Sequence, residues 1–256
     1  MSHRIEPVAF TGEPGDTPGD EVFVELTPGS PGAARMVFCW CPKPERPFQM
    51  GSPESEQGRE SNERAHHVLL SRGFWLAKHP YNQAQYAAVT DANPSSSSKG
   101  GDYPVDTVSW DDAQAFCKKA ARMANLPKSW RFGLPTEAER EYACRAGGPF
   151  EHPFGIGDGR NVDAQRANFD GTFPYADGFK WQNRKSTVHE GSFPPNAWGL
   201  HDMHGQLWEW CEDWLGDYAR SSEEAPSIDP IGASKGGFRV LRGGYWDCDG
   251  GHCRSA

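Results

Sequence analysis

The chain has 256 residues, with 29 Gly, 21 Pro, ten Trp and 12% aromatic residues, a composition too aromatic for a disordered polypeptide. A formal net charge of −9 without any Lys/Arg run argues against nucleic acid as the main partner. Mean hydropathy is −0.74 and the longest apolar run, Met36 to Cys41, has six residues, which excludes a membrane-spanning helix and predicts a soluble, loop-rich protein.

Residues 1–34 carry ten Gly or Pro, and only Glu21–Leu26 (EVFVEL) alternates in the manner of a strand. They read as a tail with one edge strand, without the apolar stretch of a signal peptide. From Arg35 onward the chain is dense in aromatics and shows no repeat. The stretch 52–65 is polar and predicts a surface loop, as does Ser95–Asp102. A short helix is expected from Asn82 to Val89. Two stronger helices are announced by capping boxes, Ser109-Trp-Asp-Asp112 and Thr136-Glu-Ala-Glu139. In the first, Ala113, Phe116, Cys117, Ala120 and Ala124 fall on one face. The second is followed by Gly147, a helix stop signal. Beyond Gly148 only short strand-like runs such as Phe238–Arg242 stand between turns. The class is α+β with little regular structure.

Seven cysteines, an odd number, stand at positions 39, 41, 117, 144, 211, 248 and 253, with no C-x-x-C. Zinc ribbons and thioredoxin-type motifs therefore find no support, and no compartment follows from the cysteines. Cys39-x-Cys41 reads as two buried small residues. His66-His67 and His201-x-x-His204 lack a third ligand at helical spacing, and His204 reads as structural.

Six segments in order carry a family resemblance. They are Phe48-Gln-Met-Gly51, Pro104-Val-Asp-Thr-Val-Ser-Trp110, Leu134-Pro-Thr-Glu-Ala-Glu139 with Glu141-Tyr-Ala-Cys144-Arg, Pro194-Pro-Asn-Ala-Trp-Gly-Leu200, Asp202-Met-His-Gly205-Gln-Leu-Trp-Glu-Trp210, and Arg239-Val-Leu-Arg-Gly-Gly244. Together they resemble the formylglycine-generating enzyme family, or sulfatase-modifying factors, over residues 35–256. The resemblance implies a C-type-lectin-like α+β fold with low regular secondary structure. It also implies oxygen-dependent oxidation of a cysteine in a C-x-P-x-R segment of a protein or peptide substrate, with copper(I) held by two thiolates. Three features depart from the pattern. Arg140 replaces the usual Trp, Tyr245 replaces the usual Ser, and the sequence stops at Arg254-Ser255-Ala256, where relatives continue into a closing strand. The domain thus reads as C-terminally truncated.

By that resemblance Cys248 and Cys253 take the two catalytic positions and hold copper, which soft thiolates suit. A second reading pairs Cys253 with Cys144 as a structural disulfide, as in some relatives, and both stand at this point. Trp208 corresponds to a tryptophan near the family's active site and is the substrate-binding candidate. His252 is placed to tune the Cys253 thiolate. Asn168, Phe169, Asp177 and Phe179 match one family calcium site, and Asp202, Gly205, Leu207 and Glu209 a second, with the hard oxygens that Ca²⁺ accepts. The expected function is formylglycine generation in sulfatase maturation. The alternative is a non-catalytic lectin-like binding module on the same calcium-supported scaffold.

Overall fold

The computed structural model of the chain describes residues 4–6, 15, 17–29, 34–96, 100–126 and 131–256. Strands are β1 (Arg4–Glu6), β2 (Glu21–Glu25), β3 (Arg35–Cys41), β4 (Phe48–Met50), β5 (His66–Leu69), β6 (Phe74–Ala77), β7 (Arg131–Gly133), β8 (Glu209–Trp214), β9 (Ser227–Ile228) and β10 (Arg239–Arg242). Helices are α1 (Gln83–Thr90), α2 (Trp110–Met123) and α3 (Glu137–Arg145). The main sheet has five antiparallel strands in the order β2-β3-β6-β1-β7. Two small sheets, β4-β5-β9 and β10-β8, complete an α+β architecture.

Within the amino-terminal stretch the described residues include two strands of the main sheet, one of them the expected edge strand. Strand β2 lies at the edge of the main sheet and pairs with β3 from Glu21↔Cys39 to Glu25↔Arg35, while β1 is inserted between β6 and β7. Alternation drives the β2 placement, because Val24 and Leu26 are buried in the core while Phe23 stays exposed. The loop expected at Ser95–Asp102 lies partly outside the described residues.

Both capping boxes form. Ser109 Oγ accepts the Asp112 amide at 3.2 Å, and Asp112 Oδ2 accepts the Ser109 amide at 3.2 Å. Helix α2 then buries Ala113, Phe116, Cys117 and Ala120, with Phe116 stacked on Tyr81 at 4.3 Å between centroids. Covering Phe116 contributes roughly 2–3 kcal/mol. Ala124 is only half-buried, because it has become the carboxyl cap of the helix. At α3, Thr136 Oγ1 accepts the Glu139 amide at 3.2 Å and Glu139 Oε2 accepts the Thr136 amide at 2.8 Å. Ala146, in the left-handed region at φ 47°, ends this helix one residue before Gly147.

Every residue of α3 is buried, and its five charged side chains all make ion pairs or hydrogen bonds inside the protein. Buried charge is tolerated only when paired. Arg140 Nε meets Glu209 Oε2 at 2.5 Å, and Glu141 receives Arg145 at 2.9 Å and Arg242 at 2.6 Å. The helix thereby ties β8 and β10, which flank the carboxyl-terminal cysteines, to the middle of the molecule.

Candidate active site

After β10 the chain turns through Gly243 and Gly244, both at positive φ, and closes in a single 3-10 turn, Gly250–Cys253. Asp249 caps that turn through Oδ1, accepting the Gly251 amide at 2.8 Å and the His252 amide at 3.3 Å. Arg254 then clamps it to the polar stretch 52–65. Its guanidinium reaches Glu56 and Glu63 at 2.7 Å each and the Gly58 carbonyl at 2.7 Å, while its Nε donates to the Gly251 carbonyl at 2.8 Å.

The turn sets Cys248 Sγ 3.7 Å from Cys253 Sγ. That is well beyond the ~2.05 Å of a disulfide, and close enough for both sulfurs to face one soft ion. The two thiols differ. Cys248 is half-buried and receives the Tyr245 amide at 3.2 Å. A hydrogen bond from Cys253, helped by that amide, holds Cys248 below the usual thiol range despite its burial. Cys253 is fully buried and pushed well up by its role as donor to Cys248 and by burial. Cys248 is therefore the more acidic thiol of the pair, and its sulfur also lies 3.1 Å from the Tyr245 carbonyl. Gly244, at φ 78°, permits this approach, since a Cβ there would lie 2.7 Å from Cys253 Sγ and 3.2 Å from Cys248 Sγ.

Cys144 stands apart as a free thiol. Its sulfur lies 3.8 Å from the Met203 carbonyl, 3.5 Å from His204 Nε2 and 3.5 Å from Ser255 Oγ. The disulfide between Cys144 and Cys253 is not formed, and Cys253 faces Cys248.

Trp208 stands beside the pair, its ring 6.4 Å from Tyr245 and 6.5 Å from His252. On one side it lines a groove of about 440 Å³ with Val105, Thr107, Trp210, Leu241 and Tyr245. On the other it lines a cleft of about 140 Å³ with Glu60, Arg242 and His252. His252 is exposed and bonded to Asp249 at 3.0 Å rather than directed at Cys253.

The oxygen-rich candidates gather next door. Asn168 donates from Nδ2 to Gln206 Oε1 at 2.8 Å and to the Ser186 carbonyl at 2.9 Å, and its own carbonyl accepts the Gln206 amide at 2.7 Å. Asn168 Oδ1 and Asp202 Oδ2 are buried acceptors without a protein donor, the condition a bound cation would relieve. Burial and the Glu209 and Glu190 charges push the Asp202 carboxyl up to about 7. Phe169 is fully buried, and a Cβ at Gly205 would lie 2.4 Å from the Asn168 carbonyl. Leu207 lies at the Trp208 groove, whereas Asp177 and Phe179 stand exposed on the 170–182 excursion. Glu209 already carries an internal cation, Arg140. Each expected calcium set thus keeps one buried unpaired oxygen, Asn168 Oδ1 in the first and Asp202 Oδ2 in the second, while Glu209 of the second set is already paired with Arg140.

Residues 44–256 match the family model for the sulfatase-modifying factor enzyme 1-like domain. The formylglycine-generating enzyme of Streptomyces coelicolor is 37% identical over 155 residues, 59% of this chain and 44% of that protein. The enzyme of the same name from Thermomonospora curvata is 35% identical over 192 residues, 73% of this chain and 57% of that protein. The chain thus spans about half the length of these relatives. The solved structure of PvdO from Pseudomonas aeruginosa superposes with a TM-score of 0.69 at 26% identity, over 94% of this chain and 91% of that one. Motif order, fold and family model agree, and the chain belongs to the sulfatase-modifying factor family.

Proposed function

We propose that the protein is a formylglycine-generating oxidoreductase acting on a cysteine of a protein or peptide substrate, with Cys248 and Cys253 as its copper(I)-binding thiols. The observation that carries this is the 3.7 Å approach of those two sulfurs on a clamped turn beside Trp208. Copper(I), when bound, would supply the means of activating dioxygen at the substrate thiol. The protein's own part is to hold the ligands and shape the approach. Cys248, the more acidic thiol, is the half-buried member of the pair, and buried Cys253 completes the pair from beneath. Trp208 and Tyr245 form an aromatic wall along which the substrate segment would lie, and large rigid rings make such contacts at low entropic cost. Calcium, held in one site that includes Asn168 and in a second that includes Asp202, would brace the segments leading to Trp208.

Dioxygen is the oxidant, and the β-carbon of the substrate cysteine is oxidised to an aldehyde. Sulfur leaves as sulfide, and two external thiols, joining as a disulfide, supply the further two electrons, so that each dioxygen yields one aldehyde and one water. The test is incubation of the copper-loaded, reduced protein with a C-x-P-x-R peptide in air, followed by capture of aldehyde with a hydroxylamine probe. Aldehyde formation that disappears in Cys248→Ser supports the proposal. Absence of aldehyde with stoichiometric copper bound would leave the binding-module alternative.

A further inference from the structure

His204 lies directly beneath the thiol turn, 2% exposed, on the turn that links Asp202 to Trp208. Both ring nitrogens are engaged. Nδ1 lies 2.7 Å from the Cys253 carbonyl, which can only accept, so Nδ1 carries the proton. Nε2 accepts the Gly155 amide at 2.9 Å, which agrees with that tautomer. The ring is held edge-on by Phe154 at 5.3 Å, and the Cys144 sulfur fills the space at 3.5 Å from Nε2. Ser255, two residues past Cys253, meets the same sulfur through Oγ at 3.5 Å and donates its amide to the Pro153 carbonyl at 2.7 Å.

We infer that His204 is a positioning residue for Cys253, holding its backbone so that its sulfur faces Cys248 across the site that would take copper(I). The inference rests on the proposed copper reading for its ligand, but the placement of Cys253 is a matter of geometry alone. The 3-10 turn is four residues long and ends at Cys253. So short a turn is held chiefly from outside. Asp249 and Arg254 secure its first half and its far end, whereas the Cys253 carbonyl is secured by His204. Removing that donor strands a buried carbonyl and lets the second ligand of the pair move. Loss of the residue that orients a metal ligand typically lowers affinity by ~10- to 100-fold. Cys144 serves as packing behind the ring, which accounts for a buried thiol that reaches neither of the other two sulfurs.

The experiment compares full-length parent, His204→Ala, His204→Asn and Thr136→Ala. One readout is copper(I) affinity by competition with a chromogenic chelator. A second is the rate of iodoacetamide alkylation at Cys253 in the metal-free protein, mapped by mass spectrometry. Asparagine can present an amide hydrogen near the Nδ1 position, and Thr136→Ala lowers stability at the amino-terminal cap of α3, the opposite end of that helix from Cys144. The inference predicts faster Cys253 alkylation and roughly 10- to 100-fold weaker copper in His204→Ala. It also predicts substantial recovery of both in His204→Asn and parent values in Thr136→Ala. Parent-like protection and affinity in a folded His204→Ala would overturn it. A Thr136→Ala variant that loses as much as His204→Ala would overturn it too, because the effect would then be general destabilisation. Should the parent bind no copper, the functional reading fails and the alkylation rates still decide the placement of Cys253. Should His204→Ala not fold, His204→Asn decides: parent-like values support the inference, and unprotected Cys253 overturns it.

Discussion

Replacing Gly244 by alanine tests the geometry on which the thiol pair depends. The residue sits at φ 78°, where an L side chain costs about 1–2 kcal/mol. The added methyl would also lie 2.7 Å from Cys253 Sγ, 3.0 Å from the His252 carbonyl and 3.2 Å from Cys248 Sγ. Ordinary van der Waals contact begins at about 3.5 Å, so the Cys253 sulfur must retreat by most of an ångström. Overpacking of this kind costs a further ~1–3 kcal/mol. The total of about 2–5 kcal/mol corresponds, for a chain of this size, to a melting temperature lower by roughly 4–20 °C. Because the intruding methyl is wedged between the sulfurs, their separation should grow along with the loss of stability. Thermal unfolding gives the first quantity. Binding of a trivalent phenylarsenical, which bridges two neighbouring thiols, gives the second, with Cys248→Ser as the blank. A Gly244→Ala protein that melts with the parent and still takes up one arsenical would refute the geometry drawn for this turn.

Other consequences follow from the same arrangement. Thr136→Ala strands the buried Glu139 amide and should cost about 1–2 kcal/mol, read as a lower denaturant midpoint at unchanged slope; an unchanged midpoint would remove the capping box from the stability of α3. Burial, opposed by the Glu137 amide and reinforced by the charges of Glu137, Glu139 and Glu212, pushes the Asp213 carboxyl up from 3.8 to about 7. The native state then binds the proton that the unfolded chain has released. Stability therefore falls as pH rises from 3.8 to about 7, by at most on the order of 4 kcal/mol. Asp213→Asn should abolish that slope, so its advantage over the parent should widen between pH 4 and 7 and stay constant above. A gap independent of pH would contradict the assignment. Calcium added after chelation should raise the melting temperature, by the equivalent of about 2.7 kcal/mol at a hundredfold excess over Kd. Asp202→Ala should lose that increment, and no shift in the parent would dismiss calcium.

What was legible in advance is local. A capping box places donor and acceptor three residues apart, so Ser109 and Thr136 announce their helices without knowledge of the rest of the chain. The same holds for the alternation in Glu21–Leu26, whereas the facing of Cys248 and Cys253 was one of two open readings and was carried by the family resemblance. Long-range partners leave no such mark. Arg140 finds Glu209 across 69 residues, and Arg254 finds Glu63 across 191. Nothing in periodicity couples those positions, because a charge may be paired by any opposite charge that the fold brings near. Arg140 did stand out as a departure from the family pattern, and the bond to Glu209 gives that departure a structural account. The strand Arg4–Glu6 was missed for another reason, since three residues within a Gly- and Pro-rich stretch are too few to display a period. His204 lies 49 residues from the carbonyl it holds, and its sequence neighbours suggested only a turn.

The central claim is that Cys248 and Cys253 form one copper(I) site, and titration of the reduced full-length protein with copper(I) against a competing chelator tests it most directly. The account predicts one tightly bound equivalent per chain, lost in Cys248→Ser and in Cys253→Ser and retained in Cys144→Ser. Tight binding that survives loss of Cys248, or that requires Cys144 instead, would contradict it.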